Sequence, residues 1–451
     1  MIAKQAGIRE NIAVGIEPDL DVTGVTSNKI LTGLENGKVG TNGHAFRKNP
    51  SWINSFVDST TRLESPRVFR LWAAISVLGA AVEQRVWMIS QGRKVYPNLY
   101  CGLVAHPGVG KTKTIHTARD YYMELAEPKL APTTMTAASM ATALKASART
   151  VMHMPEGTFT YNTMYVTADE LTAFMHKYDE EAAGMMSHMY DVSVYRRTRV
   201  TNNIDIKIER PQLNLIIGTQ PSMLINYLPE RAWEQGFCSR TIFVFSDERT
   251  VGDDFEQVDT ALDANLTHDL LSISGLVGAF GITPEFRTAI NNWRALGEPP
   301  VPKHPKLLHY CTRRRMHLYK LSMVSAIDRS DVLLLTVEDF NRALTWLVEA
   351  EATMPDIFKA GAGNADARAM DEIYHFVMTI GVQPMFKGGI PERKIMDYAR
   401  QLVPLHTLDK LMKHMENTGL LVPTTAADYK TGQRKWRAAN PHIEKPTDGE
   451  V

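Results

Sequence analysis

The chain has 451 residues, 44% of them hydrophobic and 22% charged, the balance of a globular protein long enough for two or three domains. Lys plus Arg equals Asp plus Glu at 50 each, which excludes a strongly basic or acidic protein and makes any basic surface a local one. The three cysteines, Cys101, Cys238 and Cys311, are too scattered for a disulfide framework or a zinc site and suit a reducing cytosol.

Residues 1–64 are rich in Gly, Asn, Thr and Asp, hold no steady period, and read as a loosely ordered arm. Within it, the apolar cluster Trp52-Ile53-Asn54-Ser55-Phe56-Val57 either anchors the arm to a neighbour or packs on itself. From Ser65-Pro66 a core over 65–250 begins with a helix, Ser65 as cap and Pro66 as its first residue. Its apolar positions run through Val68, Leu71, Trp72, Ile75, Leu78 and Val82. Leu71 to Val82 is too short to span a bilayer and is expected to be a buried helix. The N-terminus lacks the order of a signal peptide, so a cytoplasmic protein with no membrane contact is expected.

Asn98 to Val104 reads as a buried strand, and it runs straight into Ala105-His106-Pro107-Gly108-Val109-Gly110-Lys111-Thr112. Strand, glycine loop and helix in that order form a phosphate cradle. Gly108 and Gly110 let the backbone turn its N–H groups inward, so Pro107 to Lys113 are the expected nucleotide contacts. Lys111 places an ammonium on the terminal phosphates and the Thr112 hydroxyl ligates Mg²⁺, which makes ATP with Mg²⁺ the expected ligand. The usual first glycine of the pattern is Ala105, a strand-end position where a small residue serves.

A second strand, Thr163 to Ala168, ends in Asp169-Glu170. Asp169 is assigned to the metal through its water shell and Glu170 to the general base; the plain alternative is a helix start with acids against the dipole. Further on, Tyr195–Val200 and Ile204–Glu209 flank Thr201-Asn202-Asn203, a hairpin signal. Arg197 and Arg199 share a face that Lys207 can join. The hairpin either grips nucleic-acid phosphates or is a solvated, edge-protecting ribbon. Leu213 to Pro221 is another buried strand, whose Thr219 is expected beside the acidic pair, orienting the attacking water. Ser239-Arg240 precedes a further apolar strand, where Arg240 either reaches a neighbouring subunit's γ-phosphate or makes a local salt bridge.

Residues 251–360 read as a helical linker and lid, passing through Glu298-Pro299-Pro300-Val301-Pro302 and then Arg313-Arg314-Arg315. An arginine there either contacts the nucleotide or lies on a solvated helix face. Residues 365–440 carry three helical stretches and two short strands around the basic tip Lys430 to Lys435, the order of a winged helix that binds DNA or protein; 441–451 are a tail.

With those residues placed, Ser65 to about Phe358 resembles the P-loop ATPase domain of phage and mobile-element primase–helicase proteins, most of all in Tyr96-Pro97-Asn98-Leu99-Tyr100 and Gly218-Thr219-Gln220-Pro221. More distantly the order of parts is similar to the AAA+ domains of minichromosome-maintenance and superfamily 3 helicases. The resemblance implies an α/β fold: an AAA+-like P-loop NTPase core of parallel sheet, a helical lid and a C-terminal winged helix. It also implies Arg240 as an arginine finger, the hairpin as a pore element, Arg313 or Arg314 as a second sensor, and a hexameric ring with ATP at subunit interfaces. The expected activity is an ATP-driven motor on single-stranded or forked DNA, a replicative helicase of a phage or similar element in its bacterial host's cytoplasm. Replication proteins would dock through the arm or the winged helix. A helicase loader or protein-remodelling ATPase, and a DNA-binding scaffold with a vestigial site, are the competing expectations. The departure that matters is that no zinc ribbon or primase sequence precedes the ATPase region.

Overall fold

The computed structural model describes residues 47–439 except 154–156, 174, 176–179, 200–203, 229–232, 234–235, 253–254, 256, 258, 387, 401 and 425–433. At 180, 198–199, 204–205, 362–368, 371 and 405–406 it describes the backbone alone. Residues from Arg47 onward form one unit. The expected arm over 1–46, the hairpin tip 200–203, Lys430 to Gln433 and the tail from 441 lie outside the described residues.

The last part of the expected arm is folded. Helix α1 (Trp52–Ser59) buries Trp52, Ile53, Phe56 and Val57 and is capped by the Ser51 hydroxyl. The Trp52 indole N–H donates to the Leu266 carbonyl at 2.9 Å, and the Asp328 carboxylate accepts from the Ser51 hydroxyl at 2.7 Å and the Ile53 N–H at 2.8 Å. Of the two readings of this cluster, packing within the chain is the one observed. It escaped a search for periodicity because its partners lie more than two hundred residues away.

Helix α2 (Arg67–Val82) is buried from Phe69 to Val82, as an all-round apolar helix must be. Ser65 does not cap it; the residue before the helix is Pro66, and the Ser65 hydroxyl accepts from Thr114 at 2.6 Å instead. Strands β1 (Val86–Ser90) and β2 (Arg93–Val95) then form a hairpin turned by Gln91-Gly92. Strand β3 (Tyr100–Val104) is fully buried and leads to α3 (Lys111–Met123). Strands β4 (Ala148–His153) and β5 (Gly157–Ala168), helix α4 (Glu180–Tyr190), strands β6 (Tyr195–Arg199), β7 (Ile204–Ile208) and β8 (Pro211–Thr219), helix α5 (Pro221–Tyr227) and strand β9 (Thr241–Phe245) follow.

The sheet runs β4-β5-β8-β3-β9, parallel throughout except for β4 against β5. Strands β8 and β9 are buried along their whole length, β9 as an apolar run and β8 with Gln212 and Asn214 buried among its apolar residues. Register sets Val104 opposite both Thr219 and Phe245, and Ala168 opposite Ile217, so the carboxyl ends of four strands share one edge.

Helices α6 (Thr260–Ser274), α7 (Pro284–Ala295) and α8 (Arg314–Arg329) do not form a separate lid. Their apolar faces share one hydrophobic core with the sheet, extending from Trp52 to Phe358. Helix α9 (Val337–Gly381) runs unbroken for 45 residues past Pro355 and links that core to a second one. A Cβ at Gly361 would collide with Ile225 of α5, so the glycine lets the two helices approach. The second core gathers α9, α10 (Glu392–Ala399), α11 (Leu405–Asn417), and strands β10 (Leu421–Thr424) and β11 (Lys435–Ala438), with Ile390-Pro391 as a third short strand paired to β11. The molecule is a mixed α/β protein, and among its described residues no helix is long and apolar enough to cross a membrane.

Candidate active site

The cradle forms where β3 ends. The Ala105 N–H donates to the Thr219 carbonyl at 3.2 Å, so this residue still belongs to the sheet edge and its small side chain is fully buried. His106 is fastened by Asp247, with Nδ1 at 2.8 Å and the backbone N–H at 3.2 Å from one carboxylate oxygen. Gly108 and Gly110 then take φ of +84° and +81°, a region that costs any residue with a Cβ. Gly110 is doubly required, because a Cβ there would collide with the Glu64 carbonyl. Lys111 opens α3 with its ammonium donating to the Ala105 and His106 carbonyls at 2.8 and 3.1 Å. Thr112 and Lys113 follow on the exposed first turn, and Lys113 pairs with Glu64 at 2.8 Å.

A cavity of about 380 Å³ opens over this turn, walled by residues 107–113, Glu64, Glu170 and Gln220. Glu170 thus lies where the sequence places a base. Burial raises its carboxyl above the ordinary value, while the Lys111 charge and a hydrogen bond from the Gln220 side chain oppose that rise. Lys111 is drawn down by burial and held up by the charges of Glu170 and Asp247. The backbone amides, ammonium and left-handed glycines fit a triphosphate. Mg²⁺ also fits, since it keeps several waters and takes few protein oxygens, here the Thr112 hydroxyl. Among the described residues no cluster of three or more His, Cys, Asp or Glu offers a dedicated metal cage.

Asp169, assigned to the metal, directs its carboxylate at His116, 3.0 Å away and one turn beyond Thr112 on α3. Thr219 is fully buried with its hydroxyl unpartnered, and Gln220 is the residue that meets Glu170.

The arginines differ more. Arg240 lies at the opposite end of β9 from the cradle, because Thr241 is level with Tyr100 and Phe245 with Val104. It is 7% exposed, and its guanidinium bonds Asp191 and the Gly236 carbonyl. The local salt bridge is therefore the observed state, not a guanidinium presented to a neighbour. Arg240→Ala is expected to lower stability by about 1.5–3 kcal/mol, the usual worth of hydrogen bonds to a charged group, read as a shift in urea midpoint. An unchanged midpoint would count against this pairing. Arg314 is fully buried and grips Glu351 with Nε at 2.7 Å and Nη2 at 2.8 Å, so it cannot serve a nucleotide. Arg313 is half-buried, 3.8 Å from Asp191 and on the same side as Arg240, away from its own cradle.

In the hairpin, Arg196 pairs with Lys207 and Arg197 with Ile206. Lys207 therefore shares a face with Arg196, not with Arg197, and it pairs with Glu209. Arg197 is buried against Glu181. The side chain of Arg199 lies outside the described residues.

Glu64 and Gln220 wall the cavity, and Asp247 fastens its loop through His106; none of the three was assigned from sequence. Gln220 carried a signal, as the polar residue ending a buried strand; Glu64 and Asp247 carried none, being brought in only by tertiary packing. No protein-family model matches the chain, and no curated protein matches it significantly.

Proposed function

We propose that the protein is an ATP-driven motor on DNA whose hydrolytic site is the 106–112 cradle. One observation carries this: three strand ends deliver the glycine loop, Glu170 and Gln220 to a single cavity at the carboxyl edge of the sheet, where ligands of parallel α/β sheets bind. Loop amides and Lys111 hold the phosphates, and the Thr112 hydroxyl holds the metal. Bound Mg²⁺ supplies charge neutralisation across phosphate oxygens. Glu170 takes a proton from water, and Gln220 fixes the carboxylate's direction.

The DNA half of the reading rests on the C-terminal module. Its order of helix, short strand, two helices and a two-stranded ribbon matches the order expected of a winged helix, with Lys435 and Arg437 on the ribbon and Arg434 just before it. A second reading, an ATPase that loads or remodels other proteins without unwinding, is favoured by Arg197 and Arg240 both being spent on internal carboxylates. The two separate on ATP turnover measured with and without single-stranded DNA, beside strand displacement on a forked duplex. The motor reading expects DNA to stimulate turnover and strands to part. Stimulation without displacement selects the loader, and no turnover at all removes both.

A further inference from the structure

A larger cavity, about 760 Å³, opens at the other end of β3 from the cradle. Three separate segments wall it: the β1–β2 hairpin with Tyr96, residues 190–193 after α4, and the start of α8. They bring Arg93, Lys94, Arg313, Arg315 and Lys320 together around one carboxylate, Asp191, which Arg240 already engages. In a chain with equal numbers of acidic and basic residues, that is a strong local excess of positive charge.

Lys320 is only 3% exposed, and its ammonium donates to the Tyr96 carbonyl at 2.9 Å and to Asn98 Oδ1 at 2.5 Å, above the Tyr190 ring. These partners are neutral, and a buried ammonium without a directly bonded carboxylate is costly. Burial draws Lys320 down to about 7 despite nearby Asp191. An anion in the cavity would restore its charge. Arg93 and Arg315 have no hydrogen-bond or ion-pair partner among the described residues. The rim holds Val192 at φ +51°, a backbone state uncommon for a β-branched residue. The wall's tyrosines, Tyr96 and Tyr190, are buried, so no ring face is free to stack a base.

We propose that this cavity binds a ligand bearing adjacent phosphate groups, at a site separate from the 106–112 loop. Guanidinium groups converging from different elements suit phosphate oxygens, which they bind in bidentate fashion. The phosphates have two possible sources, a single-stranded nucleic-acid backbone or a free polyphosphate chain, and the test distinguishes them.

The full chain carrying Lys111→Ala, which silences the loop, is titrated with a fluorescent oligothymidylate and, separately, with tripolyphosphate. The comparison adds Arg93→Glu with Arg315→Glu, two side chains with no structural partner. For a single strand the salt slope is about 0.7 per phosphate contact, so losing both contacts should cut it by about 1.4 and weaken binding about tenfold or more. Reversal of the exposed pair Arg287 and Arg294 on α7 controls for overall charge and should have little effect. Charge-dependent binding of the oligonucleotide assigns the backbone; the same dependence for tripolyphosphate alone assigns free phosphates. Equal affinity and slope with and without the Arg93 and Arg315 changes, for both probes, overturns the proposal, as does an equal loss in the control. The site does not rest on the ATPase reading: charge-dependent binding by a protein that never hydrolyses ATP would leave it standing.

Discussion

Glu170→Gln is expected to bind ATP as tightly as the wild type and to lose turnover by about two to four orders of magnitude, the usual contribution of a positioned base. The amide keeps the size and the hydrogen-bonding reach toward Gln220 but cannot accept a proton from water. The sign of its effect on stability is equally definite. Burial raises the Glu170 carboxyl, so its ionised form is disfavoured in the folded chain at neutral pH. A neutral amide removes that penalty, and the thermal midpoint should hold or rise. Retained binding, lost turnover and undiminished stability together separate a missing base from a damaged fold. In the wild type, activity should fall as acid protonates Glu170, and the fall should begin above the ordinary glutamate value of about 4.3. Unchanged hydrolysis in the variant would remove Glu170 from the chemistry.

Arg314→Met is expected to destabilise the protein by about 3–5 kcal/mol, because it leaves Glu351 buried without its counter-charge. The loss is compounded by the freed Glu298 and Pro300 carbonyls, through which Arg314 holds the proline-rich run against α9. Glu351 also accepts from the Tyr310 hydroxyl at 3.0 Å, so part of its solvation survives. Pairing Arg314→Met with Glu351→Leu should recover much of the loss, since an apolar pair of similar volume often replaces a buried ion pair at little cost. Urea midpoints of the three variants measure this. Full stability with a selective loss of nucleotide affinity would instead restore Arg314 to the nucleotide.

Local features were legible in the sequence, and long-range pairings were not. Buried strands announced themselves as apolar runs, and Gly108, Gly110 and Lys111 marked the cradle because backbone geometry demands those residue types there. The hairpin's existence was legible from its Asn-Asn tip, yet its register was not, so Lys207 was assigned to the wrong face. Arginines misled most. A guanidinium at a strand end looks the same in sequence whether it faces a phosphate or a buried carboxylate, and Asp191, Glu181 and Glu351 decided Arg240, Arg197 and Arg314. The cavity around Lys320 was invisible because its cations come from segments far apart in the chain.

The central claim is that the 106–112 loop holds a nucleoside triphosphate. Equilibrium binding of Mg·ATP to the full chain, compared with Lys111→Ala, tests it most directly. The account predicts saturable binding in the wild type and its loss in the variant. Equal binding by both proteins, or none by the wild type, would contradict it.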